Sequence, residues 1–598
     1  MAFMFARPTK TSLDNTFAVR NVSSNSATPA PDTKDRIIIA LDFGTTYSGV
    51  AYCFCNSSGK PDVVPVVDWL GLEGRTQPKV PTAILYDPED NTSFKWGGQV
   101  NWRDDHVRGV KLLLDPQQTR PSYLPSSNFK SEMKKLPKSV VDVAADFMGA
   151  MYNHALERIA SRVPRDYLDL CQKDFVLSVP AVWSDMAKES TMHAAQKAGI
   201  FPVAVIKEPE AAALYTFMSQ ERALASKEGD CFVVCDAGGG TVDLISYEVV
   251  STQPSLDLAE VVPGIGSMSG SLGLNRRFAE AVQNLIGDEE WFRLKNHDAW
   301  PLAERQFDQS IKTAFNGDLE DEYIVNFPGA YLEDDDDERL LRDTWYMSGE
   351  AVRDIFEPLI ADIIRLVNEH VQGARLKRPG KPLKGIFLVG GFGASQYLKA
   401  RIEKANPDIQ IIQPDDAWAA IVKGAALSRL SYTNVVSTKA PRHYGVIVGG
   451  IYEPITDKGQ PTFIDPIDGT LRTEKMWWYI LKGQDLKRDQ DIRRSLNRHV
   501  PKNHCDDDLL FHDKLSMSEV VLAPQYPTRD VRTNCTLTSD LRGVDKSLFK
   551  ERVGFDGREW LQVKFELVIS TREAAMKFWL EYDGKEVGSV FATYEYYR

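Results

Sequence analysis

One sequence pattern occurs twice in this chain, and it limits the folds that the chain can adopt. The two copies are Ile37–Val50 and Cys231–Leu244. Each copy has an apolar run, an aspartate (Asp42 or Asp236), a turn rich in glycine and threonine, and a second apolar run. Short aliphatic runs bounded by turn residues are typical of buried strands. The repeat therefore predicts an α/β protein with two related halves, each carrying a strand–turn–strand hairpin with an acid at its head.

The residues of the two turns suit a bound polyanion. Glycine lets the backbone approach a ligand closely, so successive N–H groups can face phosphate oxygens, and threonine hydroxyls add further donors. The turn residues are Gly44, Thr45, Thr46, Gly238, Gly239, Gly240 and Thr241. Carboxylates beside phosphates imply a cation between them, and hydrated Mg²⁺ bridges these two groups. We therefore predict a nucleotide held between the hairpins, with Mg²⁺ at Asp42 and Asp236.

Two further segments extend this prediction. The strand Ile386–Val389 is followed by Gly390, Gly391 and Gly393, and glycines at the start of a helix allow a nucleoside to lie against the backbone. Glu208 ends another apolar run and begins a helix at a proline, where its carboxylate either orients an attacking water or only faces the helix dipole. The phosphate loop G-x-x-x-x-G-K-[ST] does not occur in the sequence.

Charge and hydropathy exclude two broad classes. The 598 residues include 71 basic and 84 acidic side chains, a formal net charge of −13, so we expect no nucleic-acid partner. The aliphatic run Ile37–Leu41 is far shorter than the roughly 20 residues that span a bilayer, so we expect no membrane segment. Seven cysteines without a C-x-x-C pair favour a reducing compartment. This predicts the cytoplasm, with the nucleus and a mitochondrial transit peptide left open.

The pattern changes along the chain and predicts four parts. Residues 1–35 are rich in Ser, Thr, Asn and Pro and predict a disordered tail. The α/β region covers residues 36–432, a linker covers 433–441, and 442–598 predict a smaller, mostly antiparallel β domain. Strands are expected there at Val520–Leu522 and in a hairpin that turns at Asp583-Gly584.

The ordered motifs resemble those of the seventy-kilodalton heat-shock chaperones. The matching segments are Asp42–Ser48, Val179–Ala181, Glu208–Ala213, Asp236–Asp243, Val389–Gly391 and Gly424–Ala426. The resemblance covers roughly residues 36–432 and is closest to the divergent branch of A12-type and fungal-like members. It implies the two-lobed actin-like ATPase fold, a duplicated ribonuclease H-like domain around a nucleotide cleft.

The resemblance also implies roles for single residues. Asp236 and Glu208 would position the water that attacks ATP, and Lys111 is the candidate for the lysine near the γ-phosphate. Tyr47 and Asp243 belong to the matched phosphate motifs, and Lys312 would cover the adenine. The family's arginine after Gly390-Gly391 is replaced within Phe392–Ser395, so nucleotide affinity or base preference is expected to differ.

Three functions are compatible with these residues. The first is a chaperone-like switch of the heat-shock 70 kDa type that binds ATP or ADP with Mg²⁺, hydrolyses ATP slowly and acts on polypeptide clients or with co-chaperones. The second is an actin-fold metabolite kinase, and the third is a nucleotide-binding scaffold without turnover. The hydrophobic interdomain linker and the helical lid of typical family members are not expected in this sequence. Allosteric coupling between the domains and peptide binding by the β domain are therefore left open. The oligomeric state is open as well.

Overall fold

The computed structural model describes residues 35–55, 62–101, 103–104, 106–116, 118, 121–122, 133–134, 136–220, 224–431, 433–587 and 589–594. The predicted disordered tail, apart from Asp35, lies outside these residues. None of the helices in the described ranges combines the length and the apolar character needed to cross a membrane.

The first lobe is a mixed sheet in the order β3-β2-β1-β8-β9, with β4 beside β2 and a small sheet β6-β5-β7 at its side. Its strands are β1 (Arg36–Asp42), β2 (Tyr47–Cys55), β3 (Val64–Pro65), β4 (Val80–Pro81), β5 (Ala83–Tyr86), β6 (Phe94–Trp96), β7 (Val107–Arg108), β8 (Gln172–Val179) and β9 (Val203–Lys207). Its helices are α1 (Val110–Leu113), α2 (Val140–Ala160), α3 (Arg165–Leu170), α4 (Asp185–Lys197) and α5 (Glu208–Ser219).

The second lobe is built on the sheet β17-β16-β10-β11-β12-β18, which is extended by β22 from the C-terminal part. Its strands are β10 (Cys231–Ala237), β11 (Val242–Ser251), β12 (Leu256–Ser267), β13 (Glu322–Asn326), β14 (Leu340–Leu341), β15 (Thr344–Ser348), β16 (Leu383–Val389), β17 (Gln410–Ile412) and β18 (Thr433–Lys439). Its helices are α6 (Leu272–Lys295), α7 (Ala299–Gln306), α8 (Lys312–Ala314), α9 (Gly349–Lys377), α10 (Gln396–Ala405) and α11 (Ala420–Leu427).

The two lobes share one topology, which confirms the duplication inferred from the repeat. β3-β2-β1-β8-β9 corresponds strand by strand to β12-β11-β10-β16-β17. In both lobes the first strand pairs antiparallel with the second and parallel with the fourth. In each lobe, three antiparallel strands continue into strands that run parallel to the first strand. This is the strand arrangement of a ribonuclease H-like domain, present here twice, so the predicted actin-like α/β fold is confirmed.

Each lobe buries a long helix against its sheet. α2 begins after Ser139, whose hydroxyl accepts a hydrogen bond from the N–H of Asp142 at 3.2 Å. α9 begins after Ser348, which accepts from the N–H of Ala351 at 3.2 Å. Apolar side chains on one face of each helix pack against the sheet of its own lobe, and these contacts form the two outer cores.

A third core lies between the lobes and fixes the floor of the cleft. The helices α5 and α11 cross there, and apolar residues of both sheets pack on them. The crossing is so close that a Cβ atom on Gly424 would lie 1.7 Å from the carbonyl oxygen of Ala211. Only glycine fits at that position of α11.

The C-terminal part is a β-sandwich. Its strands are β19 (His443–Ile451), β20 (Thr462–Ile464), β21 (Leu471–Ile480), β22 (Asp485–Lys487), β23 (Ile492–Pro501), β24 (Leu510–Ser518), β25 (Arg532–Asp540), β26 (Lys550–Val553), β27 (Glu559–Ser570), β28 (Lys577–Tyr582), β29 (Lys585–Glu586) and β30 (Ser589–Thr593). One sheet has the order β20-β21-β19-β24-β25-β30; the other is β23-β27-β28-β29 with β26 beside β27. All pairings within both sheets are antiparallel.

Two local predictions in this part meet different outcomes. The hairpin at Asp583-Gly584 forms, with Tyr582 opposite Lys585, because Asp583 and Gly584 both adopt positive φ. The strand predicted at Val520–Leu522 is wrong: these residues form a bend in a connecting segment, where Val521 and Leu522 are exposed. None of the described strands pairs with these three residues, in spite of their β propensity.

The segment predicted as a linker is part of a sheet. Within 433–441, β18 pairs parallel with β12 and antiparallel with β22. The chain therefore leaves the second lobe along the edge of its sheet, and the C-terminal part returns one strand to the same edge.

Candidate nucleotide cleft

The two predicted loops are in contact. A Cβ atom on Gly239 would lie 2.3 Å from Thr46 Oγ1, and one on Gly240 would lie 2.5 Å from Thr45 Oγ1. The second loop is closed by a hydrogen bond of 2.9 Å from the N–H of Gly238 to the carbonyl of Thr241. The sequence repeat thus brings both turns to one place, although the lobes that carry them are separate sheets.

The start of α6 holds the second loop from behind. The N–H of Leu272 donates to the carbonyl of Gly239 at 2.8 Å, and the N–H of Ser271 donates to Gly238 at 3.1 Å. Gly270 makes this approach possible, since a Cβ atom there would lie 2.4 Å from the carbonyl carbon of Gly240. The first N–H groups of this helix therefore fix the loop.

Asp42 stands at the end of β1 and is already paired. Its Oδ2 lies 2.6 Å from Lys79 Nζ, and its Oδ1 accepts a hydrogen bond of 2.9 Å from Ser178 Oγ. Both side chains of the ion pair are buried, Lys79 being 7% and Asp42 2% exposed. Burial alone would raise the pKa of Asp42, but the charges of Lys79 and Lys111 outweigh it and lower the pKa below its usual value.

Asp236 ends β10 in the second lobe and has an open oxygen. Its Oδ1 is buried without a hydrogen-bond partner among the described residues. Burial, followed by the negative charges of Glu208 and Asp243, raises the pKa of Asp236 well above its usual value. A buried carboxylate oxygen of this kind is a place where a cation or a water molecule would be stabilised.

Glu208 is the first residue of α5 and forms a buried ion pair with Lys111. The Nζ of Lys111 lies 2.5 Å from Glu208 Oε1 and 5.5 Å from the ring centre of Trp183. Burial and the charge of Asp42 raise the pKa of Glu208 to about 7, although Lys111 opposes the rise. Burial would lower the pKa of Lys111, but the charges of Glu208 and Asp42 raise it.

Asp243 faces the same space from β11. Thr241 Oγ1 donates to its Oδ2 at 2.8 Å, and the N–H of Val182 donates to its Oδ1 at 3.1 Å. Burial raises the pKa of Asp243 despite these hydrogen bonds. Its interaction with Val182 ties the second loop to the segment that follows β8 of the first lobe.

The third predicted turn adjoins Asp236. Gly390 has φ +85°, and a Cβ atom there would lie 2.4 Å from Asp236 Oδ1, so the position requires glycine. A Cβ atom on Gly391 would meet no atom of the described residues within 4 Å. Gly393 is fixed by a hydrogen bond of 2.6 Å from Gln413 Nε2 to its carbonyl.

Lys312 and Tyr47 lie at the edge of this group. Lys312 Nζ donates to Asn275 Oδ1 at 3.1 Å and also contacts Asp308, one helical turn earlier. Burial and the negative charge of Asp308 raise the pKa of Tyr47, whose ring packs edge-on against Trp418 at 5.4 Å. These partners of Lys312 both belong to the second lobe, and its predicted place over the adenine stays a prediction.

Two buried groups of the site were not predicted from the sequence. Lys79 precedes β4 and Ser178 lies near the end of β8; both reach Asp42 from parts of the chain far from it in sequence. Lys79 stands in Gln77–Val80 without a motif around it. Only the pairing of β4 with β2 places it beside Asp42.

The residues fit a Mg²⁺ ion in part. The open oxygen of Asp236 suits a metal or a water bound to it, whereas both oxygens of Asp42 already accept hydrogen bonds, one of them from an ammonium group. No group of three or more ligating side chains is preformed within the described ranges. A magnesium ion at this site would therefore depend on water and phosphate oxygens for most of its ligands.

Comparison with known proteins agrees with this geometry. Residues 128–251 match the family model described as Hsp70 protein, and residues 225–412 match a domain of unknown function, DUF8340. Heat shock 70 kDa protein 12A of Mus musculus is 27% identical over 561 residues, which cover 78% of this chain and 80% of that protein. The human 12A protein is 26% identical with the same coverage, and human 12B is 25% identical over 77% of this chain and 78% of its own.

Proposed function

Because this chain is a divergent member of the heat-shock 70 kDa protein family, of the 12A type, we propose that it binds ATP and ADP in the cleft between its two lobes and hydrolyses ATP slowly. The family supports an actin-like, nucleotide-binding ATPase fold. Binding of the nucleotide, its turnover and a chaperone-like role go beyond the family and are what we propose.

The contact between the two loops carries this proposal. Glycines face threonine hydroxyls across the junction, at Gly239 with Thr46 and at Gly240 with Thr45. A ligand that is held by both loops must hold the lobes together, and a ligand shifts a two-state equilibrium only by its different affinity for the two states. A triphosphate bound here would thus favour the closed arrangement.

Buried acids beside the loops supply the groups for hydrolysis. Asp236 offers an unpaired oxygen that would orient a water molecule, and Glu208, with a pKa of about 7, can exchange a proton near neutral pH. Lys111, held by Glu208 at 2.5 Å, would place positive charge beside the terminal phosphate. Mg²⁺, when bound at Asp236, would neutralise phosphate charge.

The β-sandwich supports the chaperone-like part of the proposal. β20 is the edge strand of its sheet, and its three residues Thr462–Ile464 are all exposed. Phe463 is 42% and Ile464 is 62% exposed, so this edge presents unpaired backbone groups together with apolar side chains. An extended polypeptide can add a strand to such an edge.

Phosphate release from ATP tests the proposal. We expect slow release by the wild type and at least a tenfold loss in Asp236→Asn, which is about 1.4 kcal/mol of barrier. Asp288→Asn is the matched control, because Asp288 is an exposed aspartate on α6 of the same lobe. The release is measured with and without an unfolded polypeptide, which should change the rate in a chaperone-like protein.

Other outcomes identify the competing functions. Turnover that requires a small alcohol or carboxylate would favour the metabolite kinase. Nucleotide binding without release in the wild type and the variant would favour the scaffold. Absence of nucleotide binding would refute the proposal as a whole.

A further inference from the structure

Lys79 is a buried cation at the head of the first loop. Its Nζ lies 2.6 Å from Asp42 Oδ2, and Ser178 binds the other oxygen of the same carboxylate. Lys79 and Asp42 are both buried, so solvent does not compete for either partner. The ammonium group of Lys79 therefore occupies the position beside the Asp42 carboxylate where a metal ion, or a water bound to it, would otherwise lie.

The fold provides a path for this side chain. β4 pairs with β2 so that Ser48 lies opposite Val80, which places Lys79 beside Gly49. A Cβ atom on Gly49 would lie 3.2 Å from Lys79 Cγ and 2.8 Å from the carbonyl of Pro78. Gly49 is in turn the register partner of Asp42 in β1. The missing side chain at Gly49 thus lets the stem of Lys79 reach across the hairpin to Asp42.

The charges around the loops show what this lysine changes. The buried ionisable side chains there are the acids Asp42, Glu208, Asp236 and Asp243 and the lysines Lys79 and Lys111. Each lysine is bound to one acid, Lys79 to Asp42 and Lys111 to Glu208. Without Lys79, Asp42 would add an uncompensated negative charge where a triphosphate must enter, and a divalent cation would have to neutralise it.

We propose that Lys79 is a built-in counter-cation of this site, which neutralises Asp42 and so lets the two loops bind a nucleoside triphosphate with a weak dependence on divalent cations. Lys79 is a positioning residue here: it acts through Asp42 and not on the phosphates. The inference rests on the proposed nucleotide function. It adds a weak dependence on divalent cations, which the residues of the repeated motif alone would not provide.

The test is the affinity for ATP with Mg²⁺ and with EDTA, measured by isothermal titration calorimetry on the full chain. For the wild type we expect the two dissociation constants to agree within about tenfold. Lys79→Gln should weaken binding in EDTA at least about tenfold more than binding in Mg²⁺. Lys79→Arg keeps the charge and should therefore keep the wild-type ratio of the two dissociation constants. Lys95→Gln, at an exposed lysine on β6, should leave this ratio unchanged.

A second variant separates the charge effect from damage to the fold. Asp42→Asn added to Lys79→Gln removes both charges of the pair, so binding in EDTA should return to within about threefold of the wild type. Thermal unfolding followed by circular dichroism shows which variants fold. A failure of the double variant to recover binding in EDTA, with its fold intact, would overturn the inference.

The outcomes for the wild type distinguish this inference from the proposed function. A wild type that binds ATP with Mg²⁺ but loses more than a hundredfold in EDTA refutes the role of Lys79 and leaves the proposed function standing. An unchanged ratio in Lys79→Gln does the same. A wild type that binds no nucleotide under either condition refutes both.

Discussion

Replacing Gly424 by alanine tests the packing that joins the two lobes. A Cβ atom at this position would lie 1.7 Å from the carbonyl oxygen of Ala211 and 2.5 Å from its carbonyl carbon. Both obstacles are backbone atoms of α5, so no rotamer change relieves the overlap. Ordinary contact needs about 3.5 Å, so α11 and α5 would have to separate by roughly 1.5 Å or more.

The size of the effect follows from two opposing contributions. Alanine in place of glycine inside a helix is favourable by about 1 kcal/mol. Overpacking of a close-packed core costs about 1–3 kcal/mol or more, and a backbone clash of this depth belongs at the upper end. We expect Gly424→Ala to lower the free energy of unfolding by about 2 kcal/mol or more and to weaken ATP binding, because the helices α5 and α11 lie between the lobes.

A matched helical glycine provides the control. Gly149 lies within α2, and a Cβ atom there would make only ordinary contacts, the nearest at 3.6 Å to Ala198 Cβ. Gly149→Ala should therefore raise the unfolding temperature slightly, by the helix contribution alone. Both variants are compared in urea and thermal unfolding of the full chain. A Gly424→Ala protein as stable as the wild type would refute the proposed close crossing of the two helices.

Two further predictions concern buried charges. Arg488 Nη2 lies 2.7 Å from Oε2 of Glu210, which is buried on α5. Arg488→Met should therefore lower the free energy of unfolding, measured in urea, by about 3 kcal/mol, and adding Glu210→Gln should recover most of this loss. An equal loss in the single and the double variant would contradict the pairing. The raised pKa of Glu208 means that its contribution to stability is full below pH 4.5 and is lost as the pH rises through about 7. Glu208→Gln should therefore flatten the fall in unfolding temperature between pH 5 and pH 8, and an unchanged slope would show that Glu208 is not the group responsible.

The sequence was sufficient for features that depend on neighbouring residues. The repeated hairpins and the turn at Asp583-Gly584 both follow from local geometry. The approach of the two loops also follows, because equivalent strands in two related halves end in equivalent turns.

Features that depend on pairing between distant segments were not predictable in the same way. Lys79 reaches Asp42 only through the register of β4 on β2. Residues 433–441 have the polar composition of a linker, yet most of them form β18, which pairs with the edge of β12. Val520–Leu522 has the composition of a strand but pairs with none of the described strands, so the tertiary structure overrides the local β propensity.

Hydrogen exchange of the full chain with and without ATP tests the central claim most directly. If a triphosphate is gripped from both lobes, the amides of residues 42–49 and those of 236–243 should both exchange more slowly when ATP is added. Protection confined to one of these segments, or to neither of them while ATP is bound, would contradict a nucleotide held between the paired loops.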